Sequence, residues 1–125
     1  MKCVLLYAVS AIAALAAATE TKVKLPNSRA DLASGEKLFQ NHCTRCHGPK
    51  GEGGPVKLED GTKLKVPSFR EGHALRHPDS DYLKQITKGG DGMPAFEKKL
   101  TAEQMNDLIK FIRQEFQAGA AAPGK

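Results

Sequence analysis

The clearest hydrophobic pattern of the chain lies near its C-terminal end. From Met105 to Phe116, apolar side chains recur every three or four residues, which is the spacing of one face of an α-helix. Thr101 and Gln104 precede this stripe with the spacing of a capping box, in which each side chain binds a backbone N–H of the first turn. The pattern predicts an amphipathic helix that Thr101 caps and that packs its apolar face on a core.

Two weaker patterns predict helices earlier in the chain. Residues 31–41 carry apolar side chains at helical spacing, with Asp31 and Ser34 as possible N-caps. Residues 79–88 follow Pro78, which is favoured in the first turn of a helix, and precede a Gly-Gly pair that would end the helix. The stretch between His47 and Pro78 is rich in Gly, Pro and Lys and is predicted to be mostly loop. These elements indicate an all-α fold.

The N-terminus carries a continuous apolar run. Residues 3–18 contain one polar side chain, Ser10, and follow the basic Lys2. A short basic segment, an apolar run and a small-residue end are typical of a secretory signal peptide, so residues 1–18 are expected to be removed after Ala18, with Cys3. The alternative is a retained membrane anchor, although the run is short for a bilayer span.

The remaining chain is expected to form one domain with unstructured ends. Residues 19–30 show no periodicity and are predicted to be a flexible lead-in, residues 31–116 form the domain, and residues 117–125 form a flexible tail. Of the 107 residues after the signal peptide, 34 are apolar, or about 32%. A small helical domain with so few core-forming side chains is expected to gain apolar volume from a bound group.

The distribution of charged residues favours a protein partner over a nucleic acid. The chain has 19 Lys and Arg against 14 Asp and Glu, a formal net charge of +5. Acidic residues separate the lysines, so the dense basic stripe of a nucleic-acid-binding protein is missing and no nucleic-acid partner is predicted. A loose basic face favours docking to an acidic protein, with a merely solvated surface as the alternative.

Two cysteines followed by a histidine mark the candidate site. Cys43 and Cys46 are two residues apart, and His47 completes the sequence Cys-Thr-Arg-Cys-His. This spacing is the signature of covalent attachment of a c-type haem. The chemistry requires it, because two thiols add across two vinyl groups of one porphyrin edge while the adjacent imidazole reaches the iron.

Other uses of a Cys-x-x-Cys pair fit less well. A structural zinc site needs four N or S ligands, and the chain has no second cysteine pair, although His42, His73 and His77 could contribute. A thioredoxin-like dithiol follows a strand of a parallel sheet, and no alternating apolar pattern precedes Cys43.

Over residues 31–116 the chain resembles the class I monohaem cytochromes c of bacteria. Besides the pentapeptide, the resemblance rests on small and aromatic residues at set places: Gly35, Phe39, Gly48, Gly51, Gly53, the segment Gly92-Met93-Pro94-Ala95-Phe96, and Leu100-Thr101. It implies a small cytochrome c fold, with three to five helices wrapped around one covalently attached haem. It also implies that Gly35 permits close approach of the last helix.

The second axial ligand of the iron is to be found among a few side chains. The candidates are two thioethers and three imidazoles, those of Met93, Met105, His42, His73 and His77. Met105 lies on the apolar stripe of the last helix and is interpreted as a core residue. Met93 lies in a Gly-rich loop before Pro94, which restricts it to extended geometry. Together with the resemblance, this loop predicts Met93 as the ligand, and the histidines are interpreted as surface residues or as pointing elsewhere.

The resemblance implies a periplasmic electron carrier rather than an enzyme. Cys43 and Cys46 would anchor haem c, and His47 and Met93 would close both axial positions of its iron. A backbone carbonyl near Pro55 or Pro67 would accept the other N–H of His47. The apolar shell is expected to consist of Phe39, Leu83, Ile86, Phe96 and Leu108.

The expected partners are redox proteins, including membrane oxidoreductases, which a monomer would meet in short-lived complexes. Two alternatives remain open. A haem peroxidase or gas sensor would need an open distal site, which Met93 argues against. A haem-binding subunit of a larger oxidoreductase complex would share every one of these residues.

Overall fold

A computed structural model describes residues 28–120 of the 125-residue chain. The expected signal peptide, the lead-in up to residue 27 and residues 121–125 of the expected tail lie outside the described residues. No helix between residues 28 and 120 combines the length and the apolar character that a membrane span requires.

Most of the ordered structure in this part of the chain is helical. In chain order the elements are α1 (Arg29–His42), α2 (Thr44–His47), β1 (Gly54–Lys57), β2 (Lys63–Val66), a 3₁₀ helix (Gly72–Arg76), α3 (Asp79–Lys88) and α4 (Ala102–Phe116). The predicted all-α class is confirmed, with one short β-hairpin added to it. Helix α3 has the predicted bounds, and α4 begins at its predicted capping box, in which the backbone N–H of Gln104 donates to Thr101 Oγ1 at 3.2 Å.

The N-terminal cap of α1 differs from the prediction. Ser28 caps the helix: its Oγ accepts from the backbone N–H of Asp31 at 3.2 Å and donates to Asp31 Oδ1 at 2.6 Å. The predicted caps, Asp31 and Ser34, both lie inside the helix. Asp31 is buried in the first turn, where it binds Lys110 of α4, so a tertiary contact holds the carboxylate that could otherwise have capped the helix. Arg29 is helical and therefore does not belong to a flexible lead-in.

Helices α1 and α4 cross at Gly35. A Cβ atom placed on Gly35 would lie 2.6 Å from Cβ of Phe111 and would overlap the backbone carbonyl of Asp107. Real Cβ atoms do not approach other heavy atoms so closely. Glycine lowers helix propensity by about 1 kcal/mol relative to alanine, and the close helix contact accounts for its presence here.

The core lies along this helix contact. Among residues 28–120, helix α4 supplies five of the ten buried members of the cluster. Phe39 of α1 and Leu108 of α4 are the largest fully buried side chains, with exposures of 1% and 2%. The other buried members of the cluster are Cys43, Ile86, Phe96, Leu100, Met105, Ile109, Ile112 and Phe116. Several core members, among them Phe39, Ile86 and Leu108, also border a large cavity.

The hairpin adds two strands, which were not predicted, to the mostly loop segment between His47 and Pro78. Strands β1 and β2 are antiparallel, with Gly54 opposite Val66 and Lys57 opposite Lys63. Their half-buried and exposed side chains alternate, as expected of strands with one face towards the interior. The alternation Lys-Leu-Lys-Val after an Asp-Gly pair is a hairpin signal, which the Gly, Pro and Lys content of the segment obscured.

Candidate haem site

The four predicted site residues line one cavity. Cys43, Cys46, His47 and Met93 all border a space of about 1200 Å³ between the attachment motif, the hairpin, α3 and the loop that follows α3. The tertiary structure therefore brings together a motif and a methionine that are distant in the sequence.

A single helical turn presents the attachment motif. The backbone N–H groups of Cys46 and His47 both donate to the carbonyl of Cys43, at 3.1 and 2.9 Å. Gly48 ends this turn with a φ of +76°, a conformation that L side chains rarely adopt. Both thiols are free, and burial, with a smaller contribution from the charge of Cys46, raises the pKa of the Cys43 thiol to about 12.

His47 is held in an apolar and aromatic environment. Its ring stacks on Phe69, with centroids 4.6 Å apart and planes inclined by 17°. Burial lowers the pKa of His47, which favours the neutral imidazole that a metal requires. Its Nδ1 is buried and has no hydrogen-bond partner among residues 28–120.

The expected carbonyl acceptor for His47 is therefore not found near Pro55 or Pro67 within the described chain. The carbonyl of Pro67 lies against Gly53 instead, where a Cβ atom would be 2.7 Å from it. The carbonyl of His47 itself accepts from the N–H of Gly53 at 2.8 Å. These contacts fix the backbone around the motif and leave the imidazole N–H without a backbone acceptor.

A tight turn presents Met93. Gly90 and Met93 exchange two backbone hydrogen bonds of 2.9 Å, and the two residues between them, Asp91 and Gly92, have φ values of +52° and +85°. Positive φ at both central positions is the property of a type I′ turn, for which Asp-Gly is a preferred pair. Met93 is half-buried and packs on the edge of the core.

Met105 and the histidines are placed differently from Met93. Met105 is buried within α4, and its sulfur accepts a 3.5 Å hydrogen bond from Thr87, which confirms its interpretation as a core residue. His42, His73 and His77 are exposed, as expected of surface residues, but all three also border the cavity. His77 Nδ1 lies 3.0 Å from Asp81 Oδ2, so this ring is held at the rim.

The cavity wall contains most of the predicted apolar shell. Phe39, Ile86, Phe96 and Leu108 line it, whereas Leu83 packs on the outside of the core and does not. The prediction for Leu83 was wrong, since its side chain packs against the core cluster without bordering the cavity. Sequence reasoning missed further lining residues, among them Val56, Leu64, Val66 and Phe69.

The residues present fit a covalently bound porphyrin. The wall offers two thiols on one turn, an imidazole that burial keeps neutral, and a thioether on a separate turn. The rest of the lining is rich in apolar side chains, as a haem pocket requires. Fold and cavity together thus define a small haem-binding helical protein.

Comparison with known proteins agrees with this reading. Residues 30–112 match the family model described as cytochrome C oxidase, cbb3-type, subunit III. The cytochrome c6 of Synechococcus elongatus is 32% identical over 92 residues, which are 74% of this chain and 99% of that protein. The cytochrome c6 of Porphyra purpurea is 30% identical over 90 residues, or 72% of this chain and 76% of that protein.

Solved structures of c-type cytochromes share the fold of this chain. The KustC0563 c-type cytochrome superposes with a TM-score of 0.54 at 30% identity, over 64% of this chain and 94% of that chain. The cytochrome c6 of the diatom Phaeodactylum tricornutum shares the fold, with a TM-score of 0.51 at 24% identity over 71% of this chain and 98% of that chain. The chain belongs to the cytochrome c family. It is a monohaem class I cytochrome c, and haem c is its cofactor, attached through Cys43 and Cys46.

Proposed function

We propose that this protein carries single electrons between redox proteins of the periplasm, with His47 and Met93 as the axial ligands of its iron. Bound haem c would supply an iron that alternates between the ferric and ferrous states. The observation that supports the proposal is that the Met93 thioether and the His47 imidazole border one cavity. With these two side chains as ligands, no coordination position would remain for a substrate.

The residues of the chain contribute to electron transfer by holding the site rigid and dry. The paired backbone hydrogen bonds between Gly90 and Met93 fix the turn that carries the thioether. Phe39, Phe96 and Leu108 exclude water from the cavity wall. A soft thioether ligand and an apolar surrounding both raise the reduction potential relative to a bis-histidine site.

The exposed lysines of the β1–β2 hairpin favour an acidic redox partner. Its outward face carries Lys57, Lys63 and Lys65, and Lys57 stands directly opposite Lys63. Like charges placed opposite each other cost stability in a sheet. The hairpin retains them, and none of the three forms an ion pair within residues 28–120. The inward face of this hairpin lines the cavity, so a partner docked on the lysines lies close to the cofactor.

Export to the periplasm follows from residues 1–18, which have the pattern of a signal peptide. Cell fractionation and N-terminal sequencing test this step. A mature protein beginning at Thr19 in the periplasmic fraction is the expected result, and a membrane-bound protein that retains Met1 contradicts it.

A spectroelectrochemical titration of the purified holoprotein tests the function. The expected result is a reversible one-electron transition of a low-spin haem that binds neither carbon monoxide nor peroxide readily. A high-spin ferric spectrum with ready binding of exogenous ligands would instead indicate a peroxidase or a sensor. The family description, which names a subunit of an oxidase, favours a second candidate, a subunit of a larger complex. Stoichiometric copurification of another protein after gentle lysis would support that candidate and argue against a free carrier.

A further inference from the structure

A buried amide ties the end of α4 to the aromatic ring that covers His47. Gln117 directly follows α4 and is 9% exposed, although the sequence placed it in a flexible tail. Its Nε2 donates to the carbonyl of Phe69 at 2.9 Å and to Tyr82 Oη at 2.8 Å, and its Oε1 accepts from Arg113. Both N–H donors of the amide are therefore used, as a buried amide requires.

Phe69 is fixed on both sides of its backbone. Its N–H donates to the carbonyl of Gly51 at 2.8 Å, and its own carbonyl is held by Gln117. Its ring is nearly parallel to two others: the His47 imidazole at 4.6 Å and the Phe116 ring at 6.2 Å, with interplanar angles of 17° and 5°. The two hydrogen bonds thus hold the loop that carries Phe69 in place, and the Phe69 ring lies against the His47 imidazole.

Tyr82 connects the Gln117 side chain to α3. Its Oη donates to the carbonyl of Ala74 at 2.9 Å while it accepts from Gln117. The guanidinium carbon of Arg113 lies 4.5 Å from the centre of the Tyr82 ring. Gln117 therefore joins three segments: the end of α4, the Phe69 loop and the start of α3.

The imidazole needs such a support because its usual one is missing among the described residues. Metal-bound histidines generally donate their second N–H to a carbonyl or carboxylate, which fixes the orientation of the ring. His47 Nδ1 is buried, and no such partner reaches it from residues 28–120. The backbone of His47 is held in a helical turn, but the plane of its ring can still turn about the side-chain bonds, and the stacked Phe69 ring opposes that rotation.

We propose that Phe69 is the positioning residue for the axial imidazole of His47 and that Gln117 holds Phe69 in place. The proposal takes from the proposed function only that His47 binds the iron. The two residues act together: the ring sets the plane of the imidazole, and the amide sets the position of the ring. Neither residue touches the iron.

The test uses the ferric holoprotein and four variants. Phe69→Leu replaces the ring by an apolar side chain, and Phe69→Tyr keeps the ring. Gln117→Leu removes the hydrogen bonds of the amide. Gln114→Leu is the matched control, because it makes the same change at an exposed position of α4. The readout is the proton NMR spectrum, because the shifts of the four haem methyl groups depend on the orientation of the axial imidazole plane. Circular dichroism melts of each variant report separately on folding.

The expected result is a changed spread of the methyl shifts in Phe69→Leu and a smaller change of the same sense in Gln117→Leu. Phe69→Tyr and Gln114→Leu should keep the wild-type pattern. A folded Phe69→Leu protein with wild-type shifts overturns the role of Phe69, and wild-type shifts in Gln117→Leu overturn the role of Gln117. If Phe69→Leu does not fold, the contrast between Gln117→Leu and Gln114→Leu decides the proposal.

Failure of the proposed function gives a different signal. A wild-type protein whose Met93 does not bind the iron loses the thioether resonances and the low-spin spectrum before any variant is made. The dependence of the methyl shifts on Phe69 is a separate measurement in the variants.

Discussion

Lys110 of α4 donates a 2.7 Å hydrogen bond to Oδ2 of Asp31, a buried carboxylate in the first turn of α1 that lies 79 residues earlier in the chain. The Asp31 side chain is 5% exposed and that of Lys110 is 26% exposed. The pair joins α1 and α4 near the point where Gly35 lets the two helices touch. Because Phe39 of α1 and Leu108 of α4 both line the cavity, the ion pair connects two elements of the cavity wall.

Replacing Lys110 by Met should destabilise the holoprotein. The change removes the 2.7 Å hydrogen bond from Lys110 to the buried Asp31 carboxylate, which costs about 1–3 kcal/mol for a charged hydrogen bond of this kind. The free energy of unfolding, measured by denaturant titration, should fall by that amount. Lys98→Met, at an exposed position, is the control and should change the stability by less than about 0.5 kcal/mol. Equal stabilities for the two variants would show that the pair contributes nothing.

Leu64 is expected to support the turn that carries Met93. A Cβ atom on Gly92 would lie 3.0 Å from Leu64 Cδ2, so strand β2 packs directly on this turn. Leu64→Ala should loosen the turn and raise the affinity of the ferric holoprotein for added imidazole by about tenfold, the equivalent of about 1.4 kcal/mol of lost packing. Optical titration measures this affinity. Lys63→Ala, on the opposite face of the strand, should leave it unchanged, and an unchanged affinity in Leu64→Ala would refute the support.

Met93→Ala should open the distal side of the haem. If its sulfur binds the iron, the variant loses the sulfur-to-iron charge-transfer band, has a lower reduction potential and binds carbon monoxide in the ferrous state. The fold should persist, since Cys43, Cys46 and His47 still hold the cofactor. Absorption spectra and a potentiometric titration measure these changes, with Met105→Leu as a control that should keep the band. An unchanged spectrum in Met93→Ala would make His73 or His77 the candidate ligand, since both border the cavity.

Tyr82 should make the stability sensitive to alkaline pH. Burial, with a smaller contribution from Asp79, raises the pKa of the phenol above its ordinary value of 10.0, against the opposing effects of Gln117 and Arg113. A group whose pKa is higher in the folded state adds stability that is fully present below pH 10.0 and is lost as the pH rises through the folded pKa. The free energy of unfolding should therefore decline above pH 10 more steeply in the wild type than in Tyr82→Phe. Parallel declines would show that the phenol does not contribute.

The hairpin lysines should steer anionic reagents to the protein. Surface charges act over about 8 Å at physiological ionic strength, so reduction by ferrocyanide should slow as salt is added. Lys63→Glu should lower the rate at low salt, whereas Lys98→Glu carries the same charge change away from the hairpin and should have a smaller effect. Stopped-flow absorbance measures both rates. Equal effects of the two variants would mean that net charge alone, and not the hairpin, determines the rate.

Local signals in the sequence determined the helices and the attachment chemistry. The capping box at Thr101, the apolar stripe that follows it, and the spacing of Cys43, Cys46 and His47 each act within a few residues. A helical turn converts such spacing directly into a side-chain arrangement, so these predictions required no knowledge of distant contacts. The resemblance added Met93, which lies in a loop without a periodic pattern.

The tertiary structure alone decided which residues support these local elements. Asp31 could have capped α1, but a lysine 79 positions away holds it in the core. Gln117 follows the last helix in a segment of tail-like composition, yet two acceptors from distant parts of the chain bury it. Phe69 stacks on His47 although the two residues are 22 positions apart in the chain. Contacts of this kind join positions far apart in sequence, and neither periodicity nor spacing records them, because the free energy that selects them arises only when the chain is packed.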